Sequence, residues 1–120
     1  MDRFPDIRDF IRFGPTKSST MFNFLFGNSK LKNALRHGAV IIDLRSPGEF
    51  DQGRIPDSIN IPSDRISINL SRIKAMNVPI ILTGYSDSIR EARYKLESHG
   101  VKEVYSGGHW TSVLKIVRSL

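Results

Sequence analysis

The chain has 120 residues, 39% hydrophobic and 25% charged, a balance that fits one globular domain with a real core and excludes a disordered or fibrous chain. It contains no cysteine, which rules out disulfides, thiolate metal sites and a cysteine nucleophile in one step. The net charge of +6 admits an anionic partner, but the basic residues (Arg36, Arg45, Arg54, Arg65, Arg72, Lys74, Arg90, Arg93, Lys95, Lys102) are scattered and not interleaved with aromatics, so no specific nucleic-acid patch is expected.

Residues 1–28 read as an N-terminal extension. Phe4, Ile7, Phe10, Ile11 and Phe13 recur at helical spacing, which predicts a short amphipathic helix over 5–13, opened by Asp2 and Pro5. A Gly-Pro-Ser/Thr-rich loop follows over 14–20, and then the apolar, aromatic stretch 21–27. Three readings stay open here: an arm for a partner or membrane surface, an extension packed on its own domain, or an upstream start with Met21 as the natural first residue. No run approaches the roughly 20 apolar residues of a membrane span. Asp2, Asp6 and Asp9 stand where a signal peptide would be basic and then apolar, so a cytoplasmic location is expected.

From residue 29 to 120 the punctuation is regular. Ser29 caps a helix over 30–37 that Gly38 ends. Residues 39–44 form a continuous apolar run ending in Asp43, the pattern of a strand buried on both faces. Ser46-Pro47 opens a short helix that Gly53 closes. A short strand over 58–61 leads to Pro62, and Ser63 or Asp64 caps a helix to about Lys74. Residues 78–83 form a second buried strand, followed by a loop over 84–88 and a helix to His99 with Gly100 as its stop. Residues 102–105 form a third strand, Gly107-Gly108 a turn, and residues 110–120 a closing amphipathic helix. Strands alternating with helices over short loops predict an α/β domain with a mostly parallel central sheet of four to five strands and helices on both faces.

Three ordered motifs now carry a family resemblance. The segment 38–50, an apolar strand running into Asp43-Leu44-Arg45 and then Glu49-Phe50, resembles the opening signature of rhodanese-like domains. The segment 52–62, Gln-Gly-Arg-Ile-Pro-Asp-Ser-Ile-Asn-Ile-Pro, is similar to the family's next motif, and Val104-Tyr105-Ser106-Gly107-Gly108-His109-Trp110 to its last. The resemblance covers about residues 25–117 and is closest to small single-domain bacterial rhodaneses.

Each motif also has a physical reading. Asp43 lies at the carboxyl end of a central strand, where open α/β sheets place ligand sites. Arg45 and Glu49, four apart, can pair across the first turn of the short helix. Gly53 shapes a loop, Gly107 and Gly108 a tight turn, and Trp110 anchors the last helix to the core or lines a pocket.

The resemblance breaks at the catalytic position. In active rhodaneses the strand corresponding to 78–83 ends in a cysteine, whose persulfide is held by converging backbone amides beside a helix N-terminus. Counting from the strand puts Gly84 at that position; counting back from the helix puts Thr83 there. Neither supplies a sulfur nucleophile, and the family's loop arginine is displaced, with Ser88 or Ile89 at its place and Arg90 next. Thr83, Gly84, Tyr85, Ser86, Asp87, Ser88, Ile89 and Arg90 are therefore expected to form a vestigial active-site loop. Hydroxyls cannot form persulfides, and a serine esterase would need an activating base and elbow that the sequence does not offer. Ser86, Asp87 or Ser88 is expected to cap the helix instead. His109 follows the Gly-Gly turn and can approach the pocket, whereas His99 sits at the far end of its helix. No cofactor and no metal site is expected.

What the resemblance implies is a catalytically inactive rhodanese-like module that binds an unknown protein partner or a small anion, as a monomer or weak homodimer. The alternative is a sulfurtransferase-family enzyme of the thiosulfate:cyanide type whose nucleophile has been lost or replaced.

Overall fold

The computed structural model describes residues 28–120. The expected helix over 5–13 and the apolar stretch 21–27 lie outside them. In chain order the elements are α1 (Asn28–Arg36), β1 (Val40–Asp43), α2 (Pro47–Gln52), β2 (Ile59–Asn60), a 3-10 turn (Ser63–Arg65), α3 (Ile66–Met76), β3 (Ile80–Thr83), α4 (Ser86–Ser98), β4 (Val104–Gly108) and α5 (Trp110–Arg118). The sheet has four strands in the order β2-β1-β3-β4, all parallel.

The side chains of the two central strands divide between two cores. Ile42, Ile80 and Leu82 face one side and pack with Ile66, Ile73, Ile89, Ala92 and Leu96 from α3 and α4. Ile41 and Ile81 face the other and pack with Leu31, Ala34, Val113 and Ile116 from α1 and α5. That is why the strands read as unbroken apolar runs: in a parallel sheet covered on both faces, both side-chain sets are buried.

Several boundaries differ from the sequence expectation, each for a physical reason. Ser29 lies inside α1, not before it. The 3-10 turn precedes α3, and Pro62 before it makes no side-chain cap. The Gly-Gly pair belongs to β4 and does not form a turn by itself. A Cβ on Gly107 would stand 2.6 Å from Val113 Cγ2 and 3.1 Å from both Ile81 Cγ2 and the Leu82 carbonyl, so this glycine is set by the close packing of α5 on the sheet. Gly108, at φ +75°, turns the chain into α5. Strand register slips between Leu82 and Thr83, which brings Thr83 opposite Gly108.

Candidate functional site

After β1 the chain crosses to β2 on one side, and after β3 it crosses to β4 on the other. The carboxyl ends of β1 and β3 are therefore the switch point of the sheet, where a crevice opens between diverging connections. Two segments form it: Asp43-Leu44-Arg45 with α2, and Thr83-Gly84-Tyr85 with the start of α4.

Asp43 is fully buried. A buried carboxylate needs a partner, and Arg45 supplies it with a two-pronged contact, Nε to Oδ1 at 3.0 Å and Nη2 to Oδ2 at 2.8 Å. The Arg45 backbone N–H also donates to Oδ1 at 3.0 Å. The guanidinium goes on to donate to the Gly53 carbonyl at 2.6 Å and the Glu49 carbonyl at 3.4 Å, and it lies 4.9 Å above the centre of the Trp110 ring. Asp43 holds the Arg45 pKa above its ordinary value, chiefly through this hydrogen bond. A Cβ on Gly53 would meet the Trp110 indole at 3.1 Å, so the glycine lets the indole lie against α2's exit. One buried cation thus ties the end of β1, the last turn of α2 and the first residue of α5 together.

The expected Arg45–Glu49 ion pair is replaced by this arrangement, because the buried Asp43 takes the guanidinium. The Glu49 carboxylate instead closes the capping box of α2, accepting from the Ser46 N–H at 3.2 Å while Ser46 Oγ accepts from the Glu49 N–H at 3.3 Å. The Tyr85 hydroxyl also donates to the Glu49 carboxylate, and this bond spans the crevice. It is the largest of the causes that lower the Glu49 pKa, and it raises that of Tyr85. Asn60 was not among the residues singled out from sequence. Its amide donates to the Asp43 carbonyl at 3.0 Å and the Arg45 carbonyl at 2.9 Å, fastening β2 to the β1 exit. Only its place before Ile61-Pro62 in the second motif points to it.

The segment 83–90 is far more regular than a loop. Only Gly84 and Tyr85 separate β3 from α4. Ser86, Asp87, Ser88, Ile89 and Arg90 are the first turns of α4, two residues earlier than the sequence suggests. None of Ser86, Asp87 and Ser88 is the N-cap; Tyr85 holds that position and makes no side-chain cap. Asp87 pairs with Arg90 one turn on, which suits a first-turn acid. Ile89 is a core residue.

The two positions that can correspond to the catalytic one are Thr83 and Gly84. Thr83 is fully buried, and its hydroxyl donates to the Gly108 carbonyl at 2.6 Å. The same carbonyl accepts from the Gly84 N–H at 3.1 Å. Gly84 has φ +143°, and a Cβ there would sit 3.3 Å from Leu44 Cβ. His109 caps α5, its Nδ1 accepting from the Thr111 N–H at 3.3 Å, and no hydroxyl of the 83–88 segment is bonded to it. It lines a groove of about 750 Å³ beside the crevice, together with Tyr85, Arg90, Arg93, Tyr94 and Ser106. Among the described residues no group of three or more metal-ligating side chains gathers, and no helix is long and apolar enough to cross a membrane.

Comparisons with known proteins agree with this architecture. The chain is 33% identical over 75 residues to the thiosulfate sulfurtransferase GlpE of Pseudomonas syringae pv. syringae, a match covering 61% of this chain and 70% of that protein. In structure it is similar to the single-domain sulfurtransferase RDL2 of Saccharomyces cerevisiae, with a TM-score of 0.51 and 17% identity over 77% of this chain and 86% of that one, a likeness of fold. The family model described as the rhodanese-like domain matches residues 28–109, more than half of the chain. The chain belongs to the rhodanese-like domain family.

Proposed function

We propose that this domain carries no sulfur and acts by binding, most directly by binding another protein in the cytoplasm. The observation that carries this reading is the state of the strand end: no thiol, a buried Thr83 hydroxyl committed to Gly108, and a side-chain-free Gly84. Sulfur transfer by a covalent persulfide needs an exposed thiolate there. The Tyr85–Glu49 bond supports the same reading, because it bridges the crevice from α2 to the β3–α4 connection. The adjoining groove supplies a binding surface, since Tyr85 and Tyr94 are 57% and 73% exposed and stand with Arg90 and Arg93, the residue types that protein interfaces favour.

A second reading, binding of a small anion at the start of α4, is favoured by the lack of a side-chain cap there. NMR titration with thiosulfate separates the two: the protein-binding reading predicts no saturable shifts at Gly84–Ser88. Intact mass after incubation with thiosulfate tests both, and a gain of one sulfur atom would contradict them.

A further inference from the structure

The basic residues that look scattered in sequence are partly gathered by the fold. In a parallel α/β sheet every covering helix returns to the amino ends of the strands, so the segments just before β3 and β4 meet at the end of the domain opposite the crevice. There lies a cleft of about 710 Å³, lined by Ser71, Lys74, Asn77, His99, Lys102 and Glu103 among others.

The placement of these groups is specific. Lys74 folds across the α4–β4 turn, its Nζ 3.0 Å and its Cε 3.3 Å from where a Cβ on Gly100 would stand. Gly100, at φ +95°, leaves that space open. One residue before it, His99 Nε2 lies 3.5 Å from Ser71 Oγ, three positions before Lys74 on α3. Lys102 follows two residues after Gly100. Neither Lys74 nor Lys102 forms an ion pair with a described residue. The single carboxylate on the lining, Glu103, accepts a hydrogen bond from the Tyr105 hydroxyl at 3.0 Å. Two lysines that form no ion pair among the described residues, an imidazole and a hydroxyl line this concave surface, which makes it donor-rich and net positive. The attraction of cations to helix C-termini accounts for Lys74 near the end of α3 but not for Lys102, which lies beyond α4.

We propose that this cleft binds a phosphate group, with Lys74 and Lys102 as its charge partners and Ser71 and His99 as hydrogen-bonding groups. Phosphate suits the site because it carries several acceptor oxygens and needs point charges that approach from more than one direction, which lysines give. The site lies at the opposite end of the sheet from the crevice, so it stands or falls separately from the function proposed above.

The test is an NMR titration of the full chain with pyrophosphate, against chloride at matched ionic strength. The expected result is saturable shifts at Ser71, Lys74, His99, Gly100 and Lys102. The Lys74→Gln/Lys102→Gln variant, which alters only exposed side chains, should bind at least about tenfold more weakly, whereas Arg54→Gln should bind as the parent does. No saturable shifts, or equal binding by the double lysine variant, would overturn the proposal. Sedimentation with phosphatidylcholine vesicles, with and without phosphatidic acid, identifies the source of the phosphate. Lysine-dependent sedimentation that pyrophosphate competes away makes it a lipid headgroup; saturable pyrophosphate binding without sedimentation makes it a free phosphate compound.

Discussion

Replacing Arg45 with Met should be among the most damaging single changes in the domain. It strips the fully buried Asp43 carboxylate of its three guanidinium hydrogen bonds, leaving it the Arg45 backbone N–H at 3.0 Å. It also removes the donor to the Gly53 carbonyl and the cation above the Trp110 ring. Breaking a buried pair by removing one partner costs about 3–5 kcal/mol, because the other charge is left uncompensated. Each kcal/mol corresponds to roughly 4–8 °C of Tm in a domain of about this size, so a drop on the order of 12–40 °C is expected. Urea and thermal unfolding at neutral pH measure it. The Asp43→Asn/Arg45→Met double variant should recover a large part of the loss, since it removes the orphaned charge. A loss below about 1 kcal/mol in Arg45→Met, or a double variant no better than the single, would refute the idea that this ion pair ties β1, α2 and α5 together.

Other outcomes follow from the same contacts. Gly107→Ala should destabilise by about 1–3 kcal/mol, since its methyl would start 2.6 Å from Val113 Cγ2; unchanged unfolding would show that α5 can move away freely. Tyr85→Phe should raise the Glu49 pKa toward the ordinary carboxylate range, as followed by carboxyl-carbon NMR. The stability linked to Glu49's depressed pKa is present above its unfolded pKa and lost as pH falls through the folded one; the variant should show less of that acid-side loss. Thr83→Cys should give a buried thiol that a thiol reagent labels only on unfolding. Gly84→Cys should lose stability on the order of 1–3 kcal/mol, because φ +143° strains any side chain and Leu44 Cβ lies 3.3 Å away. Neither cysteine variant should gain sulfurtransferase turnover, and a gain in either would show that the pocket survives and only the nucleophile is missing.

The sheet was readable because its central strands are continuous apolar runs, and a run such as Ile80-Ile81-Leu82 has no polar face to give water. The order β2-β1-β3-β4 had no local signal in the chain beyond the family resemblance. Arg45 shows where spacing misleads. An i,i+4 rule points to Glu49, but it ranks surface neighbours, and it is outweighed by a buried carboxylate two residues away in the other direction. The Gly107-Gly108 pair looks like a turn because glycine permits one; the close approach of Val113 that fixes Gly107 depends on a contact between β4 and α5 that no window of sequence displays. The segment after Thr83 was legible as lacking a cysteine, with the counts from the strand and from the helix differing by one residue. In the fold it is two residues long, and the Tyr85 hydroxyl donates to Glu49 across 36 positions of sequence, a contact that no local window displays.

The most direct test of the central claim is a thiosulfate:cyanide sulfurtransferase assay on the purified chain, with an active cysteine-containing rhodanese as positive control. The absence of a thiol at the end of β3 predicts thiocyanate formation no faster than in buffer. Turnover proportional to the amount of this chain, and retained after any contaminating rhodanese has been inactivated by a thiol-blocking reagent, would contradict the account and require a sulfur-transfer mechanism without cysteine.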